Sequence, residues 1–349
     1  MLKSKPKWKS KDKIMLLERL ELYISSGLPV DQALNICAEG LKKKQKVVLS
    51  RIGESVQAGS SLASGLQREV NLSATVSGLI KHGESSGSLA GSLLSARQLL
   101  ERQEELLKKS ISAMIYPGVI GGFACLLIIG LTRGVLPQII PMLKSLNVEL
   151  PFLTRAVIAF SEGLSAYGLY ILFAAIACLI IWPLLYKKQR RIGYYAQVIL
   201  IRLPLVGSLF YRYSLIVFLR SLGALVDSGV QINVAYSGTV QTLTLLPLQK
   251  YLLQSESSIS KGVPLGKILS VKPIPSFLGP LISAGESSGN LGTSIIRAAS
   301  ILDREMEHSL KKMTALIEPI MMIGLGLVVG SIALSIMMPI YDISRVLQK

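Results

Sequence analysis

The chain has 349 residues, 38 Lys and Arg against 21 Asp and Glu (net +17), with 50% hydrophobic and 17% charged residues and a mean hydropathy of +0.50. A soluble globular domain carries about 25% charged residues. An apolar excess beside a large positive charge requires the two to be segregated along the chain, as in a membrane protein with basic cytoplasmic parts, and nucleic acid is not an expected partner. Cys37, Cys125 and Cys178, and His82 and His308, lie far apart. Neither a disulfide framework nor a metal-ligand set is read from them, and no cofactor is expected.

In chain order, residues 1–13 form a basic tail with Lys3, Lys5, Lys7, Lys9, Lys11 and Lys13. Glu18, Arg19 and Glu21 follow where a secretory signal would need an uncharged run. The tail reads as solvated, with attraction to anionic membrane lipid as its functional alternative, about 1 kcal/mol for each Lys near the surface. A first cytoplasmic helical domain is expected over 14–110. Leu16, Leu20, Tyr23 and Ile24 share one helical face, Gly27 stands where a C-cap would, and helical patterns recur at 30–37, 44–57, 72–81 and 89–109. Three uncharged stretches, 111–131, 163–186 and 319–341, have the length of a bilayer-spanning helix. The run 215–226 is broken by Arg220 and reads as a buried core helix instead.

Lys108 and Lys109, Lys187 to Arg191, and Lys311 and Lys312 flank these spans on one side, which the positive-inside rule assigns to the cytoplasm. Residues 1–110 carry net +7 and 187–318 net +8, against +1 for the 132–162 connection. The N-terminus is therefore expected inside, the second helical domain at 187–318 on the same side, and the 132–162 connection and 342–349 tail outside. No alternating pattern supports a sheet. The expected fold is all-α: a polytopic membrane protein with two repeated helical bundles and three transmembrane helices.

The two bundles are copies. At an offset of 202, Ser26-Gly27 falls on Ser228-Gly229, Ala33 on Ala235, Gly83-Glu84-Ser85-Ser86-Gly87 on Gly285-Glu286-Ser287-Ser288-Gly289, Leu89 on Leu291, Arg102 on Arg304, Lys109 on Lys311 and Pro117 on Pro319. Gly59 and Leu62 match Gly262 and Leu265 one residue later. The Gly-Glu-Ser-Ser-Gly motif lies between helical patterns, so it reads as a helix end, a turn and a new start. Ser86 or Ser88, and Ser288 or Asn290, would cap the helices that follow. Glu84 and Glu286 have two readings. Each carboxylate accepts amides of the following helix, or it is an acidic contact for a basic partner or a weak cation site. Gly83, Glu84, Gly87, Gly285, Glu286 and Gly289 are therefore candidates for a partner contact or a structural turn.

The histidines do not share the repeat, since His82 matches Ala284 and His308 matches Leu106, and no nucleophile motif surrounds them. Gly262 to Lys267 resembles a phosphate loop but has three residues between its glycines, and Ile268 stands where Ser or Thr is needed. The spans hold no central charge, which argues against an ion-coupled transporter. They do hold Gly118 and Gly122, and Gly326 and Gly330, at the spacing that lets helices approach closely.

With these features the chain resembles the inner-membrane platform proteins of type II secretion and type IV pilus assembly, the F family of type II secretion, from about Leu16 to Ile343. The resemblance rests on the Ser-Gly turns with Ala33 and Ala235, the Gly59 and Gly262 segments, the paired Gly-Glu-Ser-Ser-Gly motifs, and Tyr116-Pro117 and Glu318-Pro319 at the span entrances. It implies a non-enzymatic scaffold in the bacterial inner membrane, oligomeric with copies of itself. Such a scaffold would couple a cytoplasmic assembly ATPase to the stacking of pilin or pseudopilin subunits, among other inner-membrane assembly proteins. The alternative class is a small membrane transporter or channel.

Overall fold

Among the described residues six glycines have positive φ, and they fall in three pairs: Gly27 with Gly229, Gly59 with Gly262, and Gly87 with Gly289. Each ends a helix. At the first, the Gly27 amide donates to the Ile24 carbonyl (3.0 Å) and the Leu28 amide to the Tyr23 carbonyl (3.1 Å), and Gly229 and Val230 repeat the same two bonds. The left-handed conformation costs glycine nothing sterically, which is why the duplicated chain turns at duplicated glycines.

This computed structural model describes residues 6–130, 134, 190–202 and 206–346. The expected second span at 163–186, nearly all of the 132–162 connection, Lys3 and Lys5 of the tail, and Cys178 lie outside the described residues. All elements among the described residues are helices. The first repeat has α1 (Ser10–Ser25), α2 (Val30–Glu39), α3 (Lys43–Gln57), α4 (Leu62–Glu69), α5 (Ala74–Ser86) and α6 (Leu89–Gly130). After α7 (Arg190–Arg202) the second repeat follows with α8 (Val206–Asp227), α9 (Ile232–Gln241), α10 (Leu246–Ser260), α11 (Leu265–Ile268), α12 (Leu278–Ser287) and α13 (Leu291–Val346). The helix α4 was not among the sequence expectations. It is eight residues long, too short to display a period, and depends on Ser61, whose hydroxyl accepts the Ser64 amide.

Two compact units form. One joins Met1–Lys109 with Ala196–Glu307, and the other joins Ser110–Tyr195 with His308–Lys349. Both repeats share the first unit. Leu16, Leu17 and Leu20 of α1 are buried with Leu34, Leu49, Ile52, Leu66 and Leu79, while Tyr23 and Ile24 are half-buried at the rim. In the second repeat Phe218, Leu222 and Leu225 take the matching places. Phe218 stacks edge-to-face on Tyr236 at 5.8 Å, and the Tyr236 hydroxyl donates to the Leu252 carbonyl. The α5 helix crosses between repeats: Gly78 lies against Leu225, Thr75 and Thr242 share a hydroxyl contact at 3.5 Å, and His82 packs beside the Gly229 turn.

By length and mean hydropathy (1.4), Gly207–Asp227 is the one helical stretch among the described residues that matches a membrane span. Half of it is buried in the first unit. Its Arg220 donates to Asp303 at 2.6 Å, both side chains being less than one-fifth exposed. Its apolarity thus serves the core, in agreement with the core-helix reading of 215–226. In the second unit, the expected first and third spans lie along α6 and α13. Val119, Phe123 and Leu126 are each more than 60% exposed, and Ile320, Ile323 and Leu327 are 65% exposed. The α13 helix runs on past 341 to Val346.

Candidate functional site

The two glycines and the glutamate of Gly-Glu-Ser-Ser-Gly have separate physical tasks. A Cβ on Gly83 would stand 2.4 Å from Ser92 Cβ, and one on Gly285 2.3 Å from Ser294 Cβ. The first glycine is therefore what lets α5 and α12 meet the start of the next helix. The last glycine supplies the left-handed turn, φ 71° at Gly87 and 73° at Gly289.

The glutamate between them reaches backward. Glu84 accepts the Leu62 amide, the Ala63 amide (3.3 Å) and the Ser61 hydroxyl. Glu286 accepts the amides of Leu265 (3.3 Å) and Gly266 (3.5 Å). Both carboxylates are half-buried and cap the N-termini of α4 and α11, where unpaired amides and the positive end of the helix dipole favour an anion. Sequence reasoning expected the amides of the following helix. The structure selects the helix about twenty residues earlier, because α5 packs on α4 and α12 on α11. Ser88 and Asn290 stand immediately before α6 and α13, as expected of capping positions.

The same geometry disposes of the phosphate-loop resemblance. The Leu265 and Gly266 amides that a phosphate would need are already engaged by Glu286. Cys37 is buried, and burial pushes its thiol up to about 11, so it is not a nucleophile at neutral pH. Among the described residues, no three metal-ligating side chains come together. At Gly118, Gly122, Gly326 and Gly330 an added Cβ would meet nothing within 4 Å among the described residues.

A feature that sequence reasoning did not assemble is a cleft of about 930 Å³ in the first unit, where α6 faces α13 and α8. Repeat mates line it in pairs: Gln98 with Ser300, Glu101 with Asp303, Arg102 with Arg304, and Glu105 with Glu307. Lys109 bridges the two sides, paired with Glu105 at 3.1 Å on its own helix and with Glu307 on α13. These two hydrogen bonds raise the Lys109 ammonium above its usual range, Glu307 contributing most, and Lys109 in turn lowers the Glu105 carboxyl. The signal in the sequence was present only as charges recurring at the repeat offset.

A family model described as Type II secretion system (T2SS), protein F, matches residues 16–137 and again 218–339. The chain belongs to the type II secretion system protein F family. The two matches are displaced by 202 residues, the same offset that relates Gly27 to Gly229, Gly87 to Gly289 and the capping glutamates. Among relatives of this family, the Type IV pilus assembly protein PilC of Thermus thermophilus is 30% identical over 338 residues, covering 95% of this chain and 82% of that protein. The Type 4 fimbrial assembly protein PilC of Pseudomonas putida is 29% identical, covering 94% and 83%. The Type II secretion system protein F of Xanthomonas campestris pv. campestris is 28% identical, covering 95% and 82%.

Proposed function

We propose that the chain is the inner-membrane platform of a type IV pilus or type II secretion machine, without catalysis of its own. The observation that carries this is the doubled family match, coincident with the duplicated helical unit and spread over nearly the whole chain. The platform couples a cytoplasmic assembly ATPase to assembly of pilin or pseudopilin subunits. It is held by three membrane helices at 111–131, 163–186 and 319–341, with the N-terminus, 14–110 and 187–318 in the cytoplasm. The exposed apolar faces of α6 and α13 support the first and third spans. Gly118 and Gly122, and Gly326 and Gly330, lie at the spacing that lets these helices pack closely on other segments or copies. The Gly-Glu turns are structural in this reading, since both glutamates are used as caps. No observation favours a transporter.

The test is co-purification of the full chain with an assembly ATPase from the same cells, together with a pilus or secretion assay. Retention of the ATPase and loss of assembly on deleting 187–318 are expected. Normal assembly by that deletion would overturn the proposal.

A further inference from the structure

The contact between the two repeats is one-sided. Helix α5 of the first repeat lies on α8 and α9 of the second, with Gly78 against Leu225, Thr75 beside Thr242 and His82 beside the Gly229 turn. Gln103 of α6 extends this contact by donating to Ser221 at 3.4 Å. A two-fold relation between the repeats would make each contact twice with the roles exchanged, placing α12 on α1 and α2. The burial pattern excludes it. Thr75 and Leu79 are buried where their mates Phe277 and Leu281 are half-buried, and Gly78 and His82 are half-buried where Pro280 and Ala284 are exposed. Inward positions do not differ: Ile80 and Gly83, like Ile282 and Gly285, are buried in both repeats. Only the strip at 277, 280, 281 and 284 lies more open, and its spacing makes it one apolar face of α12.

The surface that would receive this face is open in the first repeat as well. Leu225 is buried, whereas its mate Tyr23 is half-buried beside Leu22, which is 57% exposed. Gly40, the mate of Thr242, is exposed. Carried forward by 202 residues, the contacts within the chain become compatible pairs between chains. Thr75 with Thr242 becomes Phe277 with Gly40, one larger and one smaller side chain. Gln103 with Ser221 becomes Glu305 with Arg19, whose guanidinium lies beside Gly40. Lys109 with Glu307 becomes Lys311 with Glu105, so both polar contacts map onto pairs of opposite charge.

We propose that α12 of one chain docks head to tail on α1 and α2 of a second copy, with Glu305 against Arg19, continuing between chains the contact made between repeats. A heterologous contact of this kind closes into a ring or runs on as a filament. In the platform reading α6 and α13 cross the membrane in the same direction, so successive copies turn about the membrane normal and close into a ring. A second copy is favoured over an unrelated partner because this chain presents both halves of the contact, matched in charge. The proposal rests on the platform reading for the ring geometry alone.

The experiment uses two forms of the full chain with Cys125→Ala and Cys178→Ala and with buried Cys37 left in place. One form carries Ser26→Cys, next to Gly27, and the other Ala284→Cys under a different tag; both positions are exposed. They are produced together and treated in their native membranes with a short bismaleimide. Adducts joining unlike tags are expected, with like-tag adducts near background, and a chain carrying both cysteines should give a ladder that ends in a closed species. Arg19→Glu should lower the yield about tenfold, and adding Glu305→Lys should restore most of it. Like-tag adducts as strong as unlike ones, a bridge within the doubly substituted chain, a yield indifferent to Arg19→Glu, or no adduct would each overturn the proposal. ATPase co-purification from the same membranes separates the two readings: ATPase retained without unlike-tag adducts removes the contact between copies alone, and unlike-tag adducts without ATPase remove the platform reading alone.

Discussion

Gly83 admits no side chain, because Ser92 fills the space where a Cβ would stand. Gly83→Ala is therefore expected to destabilise the chain by about 2 kcal/mol through overpacking. Ser92→Gly in the same chain should return part of the loss, and unchanged urea unfolding of the single variant would refute the contact. Glu84→Ala should cost about 1 kcal/mol as a lost helix cap, read as a lower Tm with partner binding retained; lost binding at unchanged Tm would make the glutamate a contact residue instead. Cys37 gives a pH dependence. Its folded thiol is raised by burial to about 11, so its contribution to stability is intact below the usual thiol range and lost as pH rises from that range through 11. Alkaline unfolding of Cys37→Ala should lack this component. The sequence reading reached the importance of the Gly-Glu turn from its repetition. It could not reach the target of the carboxylate, since Leu62 and Glu84 meet only through the packing of α5 on α4.

At the scale of elements, the Arg220 and Asp303 pair joins α8 to α13 with both groups largely out of water. Asp303→Ala strands the guanidinium and is expected to cost about 3 kcal/mol, whereas Arg220→Met/Asp303→Leu should recover most of it. A double variant as unstable as the single one would point to some other role for the aspartate. This pair also explains why α8 was legible as core from one charged residue, although its length and mean hydropathy equal those of a span. The opposite holds for α4, whose eight residues are ordered by Ser61 and by a carboxylate from another helix. Helices with a long apolar stripe announce themselves locally, and helices made by their caps do not.

Over the whole molecule, the duplication was readable as an offset, but its packing was not. The sequence suggested two helical bundles on the same side of the membrane, separated along the chain by membrane segments, and the structure joins both repeats in one unit across α5, the Gly229 turn and the Lys109 bridge. Contacts such as Thr75 with Thr242 lie 167 residues apart, beyond the reach of any local pattern. Residues 1–109 produced alone should accordingly be less stable than within the chain and regain stability with 190–318 added in trans, as followed by Tm. Two fragments that melt independently and ignore one another would contradict this. The backward reach of Glu84 and Glu286 has a consequence in time as well as space. As the polypeptide leaves the ribosome, α4 emerges before the carboxylate that closes its first turn, and α11 before its own. Neither short helix is complete until a further twenty or so residues have been made, so the first turns of α4 and α11 close only after α5 and α12 have followed them.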